Sequence, residues 1–219
     1  MELTDLTTAE RTLPGETLEP PLVLGAGMSS PDPLTVRDLQ WTDMDAFIEI
    51  YWSLYEERAR GVPIGIHLFD ERPSRSDEVA WFSHLYRRVL EGGVVCAVAE
   101  IDGSAVGHCD IRPAGEGPPG SETSHVGELG ILVESRYRGR GCGTALMRRA
   151  LAQARGRFDL VRLTVFSTNP VAKHLYERLG FVVTGRLPAA VRRGDQYIDL
   201  ELMHLDLRPG APPPRVPNR

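Results

Sequence analysis

An apolar segment, Glu128-Leu-Gly-Ile-Leu-Val133, leads through Arg138-Gly139-Arg140-Gly141-Cys142-Gly143 into a stretch from Thr144 to Ala154. In that last stretch Leu146, Met147, Ala150 and Leu151 recur at helical spacing. The three glycines at alternate positions open backbone conformations that other residues avoid, so the chain must turn sharply between a strand and a helix. Such a turn presents successive N–H groups beside the positive end of a helix dipole and forms an anion site. Gly141 and Gly143 carry no Cβ to obstruct a phosphate. Two phosphate-binding patterns do not fit. The alternating glycines differ from G-x-G-x-x-G, and a Walker A loop needs Lys where Thr144 stands.

The surrounding pattern predicts a strand at 34–39, then a helix capped by Asp43 or Asp45 that carries Phe47, Ile48, Tyr51, Trp52 and Tyr55. Gly61 and Pro63 break it, 61–76 reads as a loop, and a second helix resumes near Asp77. Strands at 94–100 and 105–111 flank the tight-turn pair Asp102-Gly103. After a Pro/Gly-rich loop, strands are expected at Val126–Val133 and Leu160–Phe166 around the Thr144–Ala154 helix. A helix over Val171–Leu179, ended by Gly180, and strands at Phe181–Gly185 and Gln196–Leu205 complete the series, with 186–195 as their connection. Strands and helices in this order make an α/β domain, a mixed sheet covered by helices. The domain is expected over 34–208. A Pro-, Gly- and Thr-rich leader over 1–33, within which Met28 is an alternative start, and a Pro-rich tail over 209–219 lie outside it.

Composition narrows the class. A net charge of -5 gives no electrostatic reason to expect nucleic acid. No run approaches the roughly 20 apolar residues of a membrane span, no secretory signal is apparent, and the three cysteines form no CxxC pair. A cytoplasmic protein without a membrane partner is the expectation. Histidines and cysteines show no metal-ligand spacing, so no metal is expected.

The glycine loop and its surroundings resemble the GCN5-related N-acetyltransferase (GNAT) family, whose cofactor motif (Arg or Gln)-x-x-Gly-x-(Gly or Ala) is matched by Arg138, Gly141 and Gly143. Asn169 and Tyr176 match the Asn and Tyr that the family commonly carries after its fifth strand and on the next helix. The resemblance runs from about residue 34 to 207 and is most specific from Glu128 to Phe181. It implies the acyl-CoA N-acyltransferase fold, with a mainly antiparallel central sheet flanked by helices. It also implies direct transfer of an acetyl group from acetyl-CoA to a primary amine of a small molecule or protein, in a ternary complex. A non-catalytic acyl-CoA-binding module is the alternative, and a homodimer through the last strand or the early helices is left open.

Carried over residue by residue, the resemblance has the backbone at Leu132 and Val133 bind the pantetheine arm. The N–H groups of Arg138, Gly139, Arg140, Gly141, Cys142, Gly143 and Thr144 hold the pyrophosphate, and Asn169 contacts the cofactor arm or orders a water. Arg136, Arg138 and Arg140 complement the phosphates. Tyr176 is the candidate general acid, against a purely packing role. Glu128 is the candidate base, directly or through water, against an exposed edge carboxylate. Strand alternation places Glu128, Gly130, Leu132 and Glu134 on one face, a count that a bulge would break. His125 reads as a surface residue. The acceptor is expected to meet the early helices around 47–55, the 61–76 loop and the 186–195 connection.

Overall fold

The computed structural model describes residues 34–115 and 120–210. The expected leader and all but the first two residues of the expected tail lie outside these residues. The elements run β1 (Thr35–Asp38), α1 (Met44–Ala59), α2 (Arg75–Leu90), β2 (Val95–Ile101), β3 (Ser104–Pro113), β4 (Val126–Val133), α3 (Cys142–Ala154), β5 (Leu160–Phe166), α4 (Pro170–Arg178), β6 (Val182–Arg193) and β7 (Gln196–Asp206). Seven strands form one sheet in the order β1-β2-β3-β4-β5-β7-β6. Every pairing is antiparallel except β4–β5.

Local chemistry sets the boundaries. Ser74 accepts from the Asp77 N–H while Asp77 Oδ2 accepts from the Ser74 N–H at 3.0 Å, a reciprocal cap that starts α2. Asp43 precedes α1 without capping it; its carboxylate takes two hydrogen bonds from Arg37, at 2.8 and 2.7 Å. Asp102 and Gly103, with φ of 53° and 71°, make the two-residue turn from β2 to β3. Asn169 caps α4 through Oδ1, which accepts from the Ala172 N–H at 3.1 Å, and Pro170 follows where a missing N–H costs nothing.

Two apolar layers cover the two faces of the sheet. On one face α3 and α4 pack through Leu146, Met147, Ala150 and Tyr176 on Ala97, Cys109, Val161 and Met203. On the other, α1 and α2 bring Phe47, Phe82 and Leu85 onto Cys96 and Val98. β6 differs from expectation. It continues to Arg193, so 186–195 is mostly strand with a tight turn at Gly194-Asp195, and not a connecting loop. Its pairing with β7 breaks between Leu187 and Val191, where Ala189 takes a φ of 52° and donates its N–H to Asp199 Oδ1 at 2.8 Å.

Candidate active site

The parallel pairing of β4 and β5 lasts three rungs, Val126↔Leu160, Gly127↔Val161 and Glu128↔Arg162, and then stops. Beyond Glu128 the two strands part, although β4 stays paired with β3 as far as Val133↔Gly107. The register of β4 against β3 is unbroken, so no bulge disturbs the alternation along β4. Two backbone bonds settle which groups face the gap. The Glu134 N–H donates to the Val106 carbonyl at 2.9 Å and the Ala114 N–H to the Val126 carbonyl at 2.8 Å. Hydrogen-bonded pairs alternate along an antiparallel ladder, so Glu128, Gly130 and Leu132 direct their backbone groups at β3, and Leu129, Ile131 and Val133 direct theirs at the gap. This corrects the expectation for Leu132 by half a repeat. Its N–H and C=O belong to the β3 ladder, and the gap-facing groups are those of Ile131 and the N–H of Val133, whose carbonyl already accepts from Arg138 Nε at 2.9 Å.

Past Val133 a 3-10 turn, Ser135–Tyr137, leads to Arg138 and the glycine loop. Gly139 and Gly141 have φ of 74° and 89°, and a Cβ added at either would meet nothing within 4 Å. These two positions need glycine for their backbone conformation, and the space over them is open. Gly143 has a different reason. A Cβ there would lie 3.1 Å from Leu175 Cδ2, so this glycine lets α3 approach α4. α3 begins at Cys142 with no side chain capping it, which leaves the first-turn N–H groups of Cys142, Gly143 and Thr144 available to an anion. The Cys142 thiol is buried, and burial raises its pKa. Burial and the raised pKa both work against thiolate chemistry at this position.

The three arginines are not equivalent. Arg136 pairs with Glu134 at 2.6 Å, and Arg138 pairs with Glu57 of α1 at 2.7 Å. Among the described residues Arg140 makes no ion pair. It lies 5.7 Å over the ring of Tyr137, free to meet a phosphate.

Glu128 sits at the vertex of the gap and accepts from Arg162 Nη2 at 3.0 Å. Its side chain shares the α1/α2 face with Arg112, its rung partner on β3, and with Asp110 and His108 further along. That row borders a groove of about 470 Å³ lined by Glu128, Arg162, Thr164, Thr184, Leu202 and His204. Tyr176 stands on α4 at the opposite face, buried, with its pKa raised by desolvation and by nearby Cys109. Asn169 lies between the α4 cap and the α1–α2 loop: a Cβ added at Gly65 would overlap its amide nitrogen. The same loop is gripped by Arg193, which donates to the Ile64 carbonyl at 2.8 Å and the Ile66 carbonyl at 3.2 Å. His125 is exposed and lies away from the gap, where its carbonyl accepts from Asp159. Sequence reasoning missed Arg162, Arg193 and Glu57, whose partners lie 34, 129 and 81 residues away.

A parted pair of parallel strands, an edge of free backbone groups and an uncapped helix behind two left-handed glycines suit a long, phosphate-bearing acyl carrier. The model of the acetyltransferase (GNAT) family matches residues 44–181. The chain belongs to that family. Its activity is N-acetyl transfer from acetyl-CoA to an amine, with acetyl-CoA as the donor. It is 36% identical to the L-amino acid N-acetyltransferase AaaT of Escherichia coli over 117 residues, 51% of this chain and 67% of that protein. It is 26% identical to the L-methionine sulfoximine/L-methionine sulfone acetyltransferase of Pseudomonas aeruginosa over 180 residues, 80% of this chain and 95% of that one. Its fold is that of the acetyltransferase yncA from Salmonella typhimurium, solved with acetyl-CoA, with a TM-score of 0.68 at 24% identity over 83% of this chain and 98% of that one. No helix among the described residues is long and apolar enough to cross a membrane, and no group of metal-ligating side chains is found there.

Proposed function

We propose that this acetyltransferase acts on the α-amino group of a small, amino-acid-like acceptor, with Glu128 as the base and Tyr176 as the acid. The observation that carries the reading is the place of Glu128, at the rung where β4 and β5 separate. A carboxylate there lies beside the reacting centre of a donor whose arm follows the Ile131–Val133 edge. The two relatives named for L-amino acid chemistry favour the acceptor class. So does the α1–α2 loop, which is held by Arg193 and by the close packing of Gly65 on Asn169 and so narrows access from that side.

Acetyl-CoA supplies an activated thioester and a thiolate leaving group. The chain's own residues supply position and protons. The N–H groups from Arg138 to Thr144 hold the pyrophosphate, assisted by the helix dipole, and Arg140 adds its charge. Asn169 faces the cofactor arm beside the α4 cap. Glu128 takes a proton from the acceptor's ammonium, directly or through a water, and frees the neutral amine to attack the thioester carbonyl. Arg162 keeps that carboxylate oriented. Tyr176, held protonated by burial, donates to the departing sulfur. The protein is read as cytoplasmic, and self-association through β6–β7 fits the exposed Leu187, Tyr197 and Leu202 there.

The experiment is an acceptor screen with acetyl-CoA, following thiol release over free L-amino acids, their amides, N-terminal peptides and diamines. Turnover with free amino acids, lost in Glu128→Gln, supports the reading. Turnover confined to peptides would move the acceptor to protein N-termini, and binding of acetyl-CoA with no acceptor in any panel would sink the catalytic assignment.

A further inference from the structure

Glu57 lies in the last turn of α1 and is 2% exposed. Its carboxylate is engaged by one side chain from far along the chain: Arg138 donates Nη1 to Oε2 at 2.7 Å and Nη2 to Oε1 at 2.9 Å. The Nε of the same guanidinium donates to the Val133 carbonyl at 2.9 Å. One planar fork therefore joins the end of α1, the end of β4 and the residue that opens the glycine loop. Arg138 is the anchored member of that loop. It leaves the Ser135–Tyr137 turn at φ -65° and ψ 151°, and Gly139 follows at a φ of 74°.

Stability does not explain a pair of this kind. Burying the Glu57 carboxylate offsets much of the attraction to Arg138, whose side chain stays 40% exposed, and apolar side chains of similar volume hold a helix and a strand together equally well. A bidentate pair instead fixes geometry, because both partners must keep one orientation to satisfy both bonds. What it fixes here is the start of the anion-binding loop. Among the described residues the other arginines beside that loop make their polar and cation–π contacts within their own turn: Arg136 meets Glu134 and Tyr137, and Arg140 meets Tyr137. The Glu57 contact is the ion pair that ties the start of the loop to α1. Glu57 also sits where α1 gives way to the acceptor-side loop, since its carbonyl accepts from the Arg60 and Val62 N–H groups at 3.1 and 3.0 Å.

We propose that Glu57 is a positioning residue for the donor: by holding Arg138 it sets the N–H groups of residues 139–144 for the pyrophosphate of acetyl-CoA. The inference rests on the reading that this loop binds that pyrophosphate. Glu57 touches neither substrate and acts through Arg138.

The test uses two donors, acetyl-CoA and S-acetylpantetheine, which carries the same thioester without the pyrophosphate. In Glu57→Gln the KM for acetyl-CoA should rise tenfold or more, with the KM for the acceptor and turnover of S-acetylpantetheine within twofold of the parent. The double variant Glu57→Leu/Arg138→Met, which removes both charges, should recover the parent's melting temperature but keep the raised KM for acetyl-CoA. Recovery of melting temperature and KM together would show the pair to be purely structural and overturn the proposal, as would equal losses with both donors. Should Glu57→Gln fail to fold, Arg138→Lys, which keeps the charge and loses the fork, must show the same donor selectivity at threefold or more. A parent that binds no acetyl-CoA by calorimetry removes the donor-site reading and this role with it. A parent that binds acetyl-CoA while Glu57→Gln binds it equally well removes only the role.

Discussion

Arg162 of β5 holds Glu128 of β4 through a 3.0 Å hydrogen bond at the last rung before the two strands part. The rung extends across the sheet: Arg112 faces Glu128 from β3, and His204 faces Arg162 from β7. Side chains opposite one another on the same face of a sheet are neighbours; here Arg162 bonds the Glu128 carboxylate, while the Arg112 guanidinium pairs with Asp110 at 3.5 Å. Glu128 is held in place without being sealed off, with 38% of the side chain still exposed. An acceptor amine can therefore reach it, whereas buried Asp110, 3% exposed on the same face, is out of reach.

Glu128→Gln keeps the shape and removes the proton acceptor. We expect kcat to fall by about 10²-fold or more, the scale of general-base catalysis, with calorimetric affinity for acetyl-CoA unchanged. An unchanged kcat would assign the base to another group.

Tyr176→Phe keeps the ring that packs 6.1 Å from Phe181 and deletes the hydroxyl. Melting temperature should hold, because the buried volume is nearly conserved. Thiol release at saturating substrates should slow by about 10²-fold, with little change in either KM. A variant of parental speed would leave Tyr176 as a packing residue.

Gly65 and Asn169 test the acceptor-side wall. A methyl group at residue 65 overlaps the Asn169 amide, so Gly65→Ala must displace either the loop or the α4 cap. Loss of the Asn169 Oδ1 cap costs on the order of 1 kcal/mol, visible as a lower melting temperature, and the KM for acetyl-CoA should rise with it. If melting temperature and KM both stay at parental values, the loop gives way without disturbing Asn169, and the contact at Gly65 does not fix the cap.

How far these features were legible depended on how local their causes are. The bounds of β4 and β5 could be read from apolar runs ended by turn residues, and the start of α4 from Asn169-Pro170, because each signal lies within the element it defines. Gly141 was legible as a turn residue. Gly143 looked identical in sequence, yet its reason is Leu175, 32 positions further on in α4. The strand nature of 186–193 was hidden because Pro188 and Ala189 sit in an irregular part of an edge strand, where ladder bonds are not required. Leu132 was misplaced by one residue because apolar alternation shows which side chains share a face and is silent on which backbone groups meet β3. The Glu57–Arg138 contact lay beyond any local pattern, since Arg138 was already accounted for as a motif residue.

His108 and Asp110 make opposite contributions to stability over the same acidic range. His108, stacked on Phe47 with ring centroids 4.2 Å apart, has its pKa lowered to about 4 by burial and by Arg112. Asp110 has its pKa raised to about 6, chiefly by burial, with Arg112 opposing and Glu128 reinforcing. Nδ1 of the first and Oδ2 of the second make no hydrogen bond. For His108 the unfolded chain binds the proton more readily, so its contribution is present above about pH 6.5 and is lost as pH falls toward 4. For Asp110 the folded chain binds the proton more readily, so its contribution is present below about pH 4 and is lost as pH rises through 6. Each is worth on the order of 3 kcal/mol at 1.36 kcal/mol per pKa unit, and between pH 4 and 6 the two slopes oppose. Single variants should expose them. Asp110→Asn should leave stability rising with pH from 4 to 6.5, and His108→Phe should leave it falling from 4 to 6, each measured against the parent by urea unfolding at half-unit steps. Parallel pH profiles for parent and both variants would mean that neither group is held in its neutral form by the fold.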